Sequence, residues 1–251
     1  MNFICLITFR PSKIWCDFLN KFTRYKIIII VDDSSFDLST FSYDNITFVQ
    51  IDDDTCKRNG YINTNFLIKQ ISGWDKALYY FSSKKYNYVW FLEDDVFFYN
   101  ENTILSIDEK YNNDLLSNSL SKNINGDTST WHWKNVHIKF PPPYYNGMMC
   151  IVRFSKKMMQ YIDEYAKKYH TLFFLEALFP TIAMKHNLTC SQPKNFFNII
   201  YRFKWKKNHI DKHSLFHPVK KITRHSFYRK TRKNRNIKKH CHCSQWNLIV
   251  L

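Results

Sequence analysis

Two apolar runs that end abruptly in acid constrain this chain more than any other feature. Ile27-Ile-Ile-Ile-Val31 passes straight into Asp32-Asp33, and Tyr88-Val-Trp-Phe-Leu92 passes straight into Glu93-Asp94-Asp95. A β-branched or aromatic run with no polar alternation is a strand buried on both faces, and such strands belong to parallel sheets covered by helices on each side. Phe3 to Phe9 and Ile46 to Ile51 read as further strands. Between them, Ile14, Phe18, Leu19 and Phe22, then Leu67, Ile71, Trp74, Leu78 and Phe81, recur at helical spacing and predict helices over 14–22 and 65–81. Strands alternating with helices predict an α/β fold. Its central sheet is mixed but mostly parallel, helices flank it, and ligands bind beyond the carboxyl ends of the strands.

The second half is less regular. Residues 112–130, rich in Asn, Ser, Lys and Asp, read as a loop; Val136 to Phe140 and Met148 to Phe154 read as strands. Ser155 can cap a helix carrying Met158, Met159, Ile162, Ala166 and Tyr169, and a second helix is predicted over 174–185. With 251 residues, 45% of them apolar, the chain suits one domain with a sizeable core, and only 4 Gly and 7 Pro exclude a low-complexity class. No apolar window is long enough to span a bilayer, and Met1 to Phe9 reads as a strand rather than a signal peptide. The seven Cys follow no regular spacing, so reduced thiols and a cytoplasmic location are expected.

The net charge of +16 is concentrated at one end. Residues 201–243 carry 15 Lys and Arg against the single acid Asp211, so the first two hundred residues are nearly neutral. The expected division is a domain over 1–221, with a nucleotide-binding half (1–100) and an acceptor-binding half (101–221), and a basic extension over 222–251. Such an extension can contact nucleic acid or an anionic membrane, or stay solvated.

Carboxylates at the mouth of a buried strand repel one another unless a cation or donors sit there. A hard ion such as Mn²⁺ or Mg²⁺ takes oxygen ligands and shares them with phosphates. Glu93-Asp94-Asp95 therefore suits a metal bridging the protein to a nucleotide diphosphate; a solvated turn is the ordinary alternative. Asp32-Asp33 at a second strand end would open on the same edge of the sheet. Thr8 and Arg10 end the first strand, where Arg10 can pair with phosphate and Asp32 or Asp33 can hold a base or ribose. Trp74 reads as core, while Lys76 beside it can face the cleft. Glu176 is the only carboxylate in a strongly apolar stretch, and burial would raise its pKa toward that of a general base; a helix-start Glu is the alternative. Trp131, Trp133, Tyr144 and Tyr145 bracket a Pro-rich loop and suit the faces of an acceptor sugar, with Asn146 supplying polar contacts; an aromatic loop folded onto the core is the alternative.

The acidic strand ends resemble the Asp-x-Asp type motif of GT-A fold glycosyltransferases. The order of Pro142-Pro-Tyr-Tyr-Asn-Gly-Met-Met-Cys-Ile-Val-Arg-Phe-Ser155, Phe174 to Ala183 and Phe216-His-Pro-Val-Lys220 extends the resemblance, over 1–221, to a group of small GT-A-like proteins. The resemblance implies a single GT-A-like (Rossmann-like) domain. It implies a metal-dependent transferase, inverting, that moves a sugar from a nucleotide-diphosphate donor such as a UDP-sugar to a hydroxyl of a glycan or protein. Asp95 and His217 would then hold Mn²⁺ or Mg²⁺, Glu93 and Asp94 would face the donor, Lys220 would lie near its diphosphate, and Glu176 would be the base.

Two rival readings stand beside it. One is a nucleic-acid-binding protein using residues 201–243 on an inactive body. The other is a nucleotidyltransferase or phosphodiesterase using the same acids. His240-Cys-His-Cys243 lacks the spacing of a zinc module. The sequons at Asn45 and Asn187 matter only in a secreted chain. Abundant Asn, Ile, Lys, Phe and Tyr suit an AT-rich genome, such as that of a large virus or a parasite; a viral origin would place the protein in a host cytoplasm.

Overall fold

A computed structural model describes residues 1–67 and 70–230. A seven-stranded sheet runs through its centre in the order β3-β2-β1-β4-β6-β5-β7. The strands are β1 (Asn2–Thr8), β2 (Lys26–Val31), β3 (Ile46–Val49), β4 (Tyr88–Glu93), β5 (Leu115–Asn123), β6 (Tyr144–Ser155) and β7 (Cys190–Ser191). The first four are mutually parallel, β6 is antiparallel to β4 and β5, and β7 is parallel to β5. The fold class is thus α/β with a mixed, mostly parallel sheet, as the apolar runs predict.

Side chains of the central strands alternate between two cores. Phe3, Cys5, Ile7, Val89 and Phe91 point to one face, where α3 (Gly73–Ser82), α5 (Lys156–Tyr169) and α6 (Leu175–Lys185) pack. Ile4, Leu6, Trp90 and Leu92 point to the other, covered by α1 (Lys13–Leu19) and α4 (Glu101–Asp108). Short α2 (Asp53–Arg58) lies against α3. Strand β1 leads to α1 on one face, while α3 on the opposite face leads into β4. The crevice between the carboxyl ends of β1 and β4 is therefore the place where connections diverge, the position at which α/β sheets hold ligands.

Three elements differ from the sequence expectation. The helix predicted from Asn65 begins only at Gly73, because Ser72 and Asp75 close a capping box there. Residues 115–123, expected as loop, form β5. Its polar character is tolerated because side chains such as Asn118 find partners, Nδ2 donating to the Ile199 carbonyl at 2.5 Å. Residues 136–140 form no strand.

A second, two-stranded sheet pairs β8 (Asn198–Ile199) with β9 (Phe216–His217). It is followed by α7 (Ile222–Lys230), which packs on α1 with His225 and Tyr228 buried. The Arg229 guanidinium lies 3.4 Å from the Phe18 ring centroid and 5.0 Å from that of Trp15. The start of the expected basic extension is thus folded onto the body as far as Lys230. His240–Cys243 lies outside the described residues.

Candidate metal and donor site

Alternation along β4 decides where the acids go. Glu93 keeps the parity of Val89 and Phe91, so it turns toward α3, where Trp74 donates its indole N–H to Oε1 at 2.8 Å. Asp94 turns the other way. Its side chain accepts from the Thr8 hydroxyl at 2.7 Å, and its carbonyl accepts from Trp15 Nε1 at 2.8 Å. Asp95 sits where the chain leaves the sheet.

The partner of Asp95 arrives from far along the chain. Phe97 and Phe216 exchange backbone hydrogen bonds of 2.8 and 2.9 Å, and the Val219 N–H donates to the Asp95 carbonyl at 2.7 Å. This bridge sets His217 Nε2 3.4 Å from Asp95 Oδ1, while Nδ1 of the same ring is 2.8 Å from the Ile200 carbonyl. Lys220 Nζ forms an ion pair with Asp95 Oδ2. At 3.4 Å the imidazole contact falls short of a hydrogen bond, and Asp95 Oδ1 is buried with no donor. One ligand atom each from Glu93, Asp95 and His217 lie within 4.8 Å of one another. Two carboxylates and an imidazole, one oxygen of which is buried and unsatisfied, are a donor set that Mn²⁺ or Mg²⁺ would satisfy.

Charge here is unevenly held. Burial works against ionisation of Asp95, but His217 and Lys220 outweigh it and keep the carboxyl below the usual range. Burial raises Glu93, opposed by the Trp74 hydrogen bond and reinforced by Asp95. Burial also raises Asp94. His217 is raised, because Asp95 overcomes the burial that disfavours the imidazolium. Glu176, in the first turn of α6, is pushed up to about 7 by burial and by the nearby charge of Glu93, with His217 pulling the other way.

The cavity at this rim has a volume of about 290 Å³ and is lined by Thr8, Phe9, Asp32, Gly73, Trp74, the three acids and Lys220, among others. A Cβ on Gly73 would meet Ile7 Cγ2 at 2.7 Å, so glycine is what lets α3 approach the end of β1. Lys76 does not face this cavity as a free cation. Its Nζ is 2.8 Å from Asp32 Oδ1 and 3.0 Å from Asp53 Oδ1 and donates to the Asp32 carbonyl at 2.6 Å, which fixes the end of β2. Arg10 pairs with Asp33 at 2.7 Å.

Of the expected residues, the structure brings together Glu93, Asp94, Asp95, His217, Lys220, Thr8 and Asp32, with Glu176 close enough to Glu93 and His217 to feel both. Trp131, Trp133, Tyr144, Tyr145 and Asn146 lie around the β5–β6 hairpin instead. Trp131 stacks on Phe174, two residues before Glu176, at 5.7 Å. Trp133 and Tyr144 help line a separate cavity of about 340 Å³. The Tyr145 N–H donates to Thr181 Oγ1 of α6 at 2.9 Å, and Asn146 accepts from Ser121. Phe9, 64% exposed, and Trp74 are cavity residues that the sequence reading missed. An apolar residue ending a strand and a Trp on a helical stripe carry no local mark of a site.

The sequence matches no protein-family model and no curated protein. Solved structures similar to this chain include two enzymes. The 4-diphosphocytidyl-2C-methyl-D-erythritol synthase of Anaerococcus prevotii aligns over 80% of this chain and 90% of its own, at 15% identity and a TM-score of 0.44. The galactosyltransferase LgtC, solved with donor and acceptor sugar analogues, aligns over 78% of this chain and 74% of its own, at 12% identity and a TM-score of 0.44. At this distance neither neighbour assigns a substrate or a reaction to the chain.

Proposed function

We propose that the protein is a metal-dependent glycosyltransferase that uses a nucleotide-diphosphate sugar, a UDP-sugar first among them, and transfers with inversion to a hydroxyl on a glycan or protein. The observation that carries this reading is the convergence of Glu93, Asp95 and His217 around the buried, unsatisfied Asp95 Oδ1. The resemblance of the acidic strand ends and of His217 to Lys220 to GT-A fold enzymes agrees with it.

Glu93, Asp95 and His217 would hold Mn²⁺ or Mg²⁺, which offsets the charge of a departing diphosphate. This makes Glu93 a metal ligand rather than a donor contact. Lys220 is the adjustable part. Paired with Asp95 in this structure, and with an exposed stem, it can turn to a diphosphate oxygen and stabilise the leaving group. Asp32 and Asp33 at the end of β2, with Thr8 at the end of β1, would face the nucleoside, and Arg10 would face a phosphate. Glu176 takes the proton of the acceptor hydroxyl as its oxygen bonds to the anomeric carbon and the bond from that carbon to the diphosphate breaks. A pKa of about 7 suits a base working near neutral pH.

The test is product analysis. Incubated with UDP-sugars and Mn²⁺, the protein should release UDP, and chelation should stop it. Release of UMP would indicate attack at phosphorus and exclude glycosyl transfer. No nucleotide release with any nucleotide sugar, together with no Mn²⁺-dependent rise in melting temperature, would overturn the reading.

A further inference from the structure

The segment joining β8 to β9 stands apart from the acidic cavity in composition. From Tyr201 to Lys207 the sequence is Tyr-Arg-Phe-Lys-Trp-Lys-Lys, and every residue but Trp205 is exposed. Tyr201 is 67% and Phe203 46% exposed, large values for aromatic rings. Arg202, Lys204, Lys206, Lys207 and, further on, Lys212 are all exposed, and none forms an ion pair with a described acid.

The segment is a built surface rather than a loose excursion. Trp205 is its root. The Trp205 indole N–H donates to the His217 carbonyl at 3.1 Å, and its carbonyl accepts from the Tyr228 hydroxyl of α7 at 2.9 Å. Phe203 packs on Trp205 at 4.4 Å and His209 at 5.7 Å. Lys207 lies 5.5 Å over the ring of Phe227 on α7, a residue that is itself 52% exposed. Exposed rings and cations without an ion pair to a described acid thus lie together along 201–209, and the Lys207 contact with Phe227 joins this surface to α7. Through Trp205 the segment is tied to the backbone of His217, one of the three candidate metal ligands.

We infer that this face docks the protein on an anionic lipid bilayer. Half-exposed rings gain by leaving water for the interfacial layer. Long-stemmed Lys and Arg reach anionic headgroups from beside them. A nucleic acid would present the same phosphates. However, a single strand is gripped by stacking bases on open ring faces, whereas here Arg202 lies over the Tyr201 ring at 4.8 Å, Lys207 over the Phe227 ring at 5.5 Å, and Phe203 packs on Trp205 at 4.4 Å. The inference does not depend on the reaction proposed for the cavity.

The experiment is co-sedimentation of the full chain with vesicles of phosphatidylcholine alone and of phosphatidylcholine mixed with phosphatidylglycerol. Binding should require the anionic lipid and weaken as salt is raised. The variant R202Q/K204Q/K206Q/K207Q should bind on the order of a hundredfold more weakly, and Y201S/F203S should also lose affinity. Both variants keep residues 231–251, so any loss belongs to this face, and circular dichroism with melting temperature verifies that each is folded. Unchanged binding in the charge variant, or equal binding to neutral vesicles, would overturn the inference. So would an oligonucleotide that binds more tightly than anionic vesicles and is lost in the same variant, since that outcome assigns the face to nucleic acid.

Discussion

The acidic cavity and the aromatic cavity are of similar size, about 290 and 340 Å³, and are built in opposite ways. The first sits on the ends of strands buried on both faces, with backbone held by the ladders of β1, β2 and β4. Its polar groups are left in tension: Glu93 and Glu176 raised, Asp95 lowered, and one carboxylate oxygen without a donor. The second is made by the irregular 124–143 segment against the hairpin tip. Its rings satisfy one another, as Trp131 with Trp133 at 4.7 Å and Trp133 with Tyr144 at 5.9 Å. Rigid backbone with unsettled charge is what preorganised chemistry needs. Settled rings beside a few polar groups such as Thr128 and Lys139 suit recognition of a ligand rather than a chemical step.

The largest effect that can break this contrast is expected from Asp95→Asn. It keeps the shape and removes the charge that holds both His217 and Lys220. Metal-dependent nucleotide release should fall at least on the order of a hundredfold, and the Mn²⁺-dependent rise in melting temperature should vanish. A retained rise would show that the cavity is not where the metal binds.

Glu176→Gln is expected to act next most strongly, on transfer rather than on donor binding, by about 10²–10⁴. It also carries a sign. The folded pKa of about 7 lies above the ordinary 4.5, so between these values the folded protein keeps a proton that the unfolded chain has lost. Stability therefore falls as pH rises through that window, and the full cost of the buried charge is present above about 7. In chelated protein, Glu176→Gln should be as stable as the wild type near pH 4 and more stable at pH 8, by no more than about 3.5 kcal/mol. An equal margin at both values would mean that Glu176 is ordinarily ionised and would remove it as a base.

Trp74→Phe tests the link between the strand face and the charge. It retains an aromatic ring against Phe91 and Phe179 and deletes the donor to Glu93. Loss of one charge-assisted hydrogen bond costs about 1.5–3 kcal/mol. Because that bond is what lowers Glu93 against its burial, Mn²⁺ affinity should need a higher pH in the variant. A thermal loss with an unmoved pH profile would leave Trp74 as core alone.

How much of this was legible follows the same division. The runs Ile27 to Val31 and Tyr88 to Leu92 announce buried strands and their acidic ends without help from the rest of the chain, and Ser155 announces α5, whose Met158 N–H it caps at 3.1 Å. Trp74 looks like packing in the sequence, and it does pack; its second role arises only when strand parity brings Glu93 beneath it. His217 meets Asp95 through a backbone bridge between Phe97 and Phe216, and no local pattern encodes a pairing over that separation. Strand β5 was hidden because its buried Ser117 and Asn118 break the apolar pattern. The acceptability of Asn118 depends on its partner, the Ile199 carbonyl, a tertiary fact.

The smallest effect should come from the aromatic side. Trp133→Phe keeps most of the packing at a site only 6% exposed and shortens the wall facing the cavity beside His137 and Lys139. If that cavity belongs to the acceptor, metal-dependent hydrolysis of donor should stay within about twofold of wild type, because no group on Glu93, Asp95 or His217 is touched. The KM for acceptor should instead rise a few-fold with kcat little changed, the pattern of lost uniform binding. A fall in donor hydrolysis as steep as that expected of Asp95→Asn would mean that the two cavities act as one, and that the aromatic segment closes over the metal rather than holding a separate ligand.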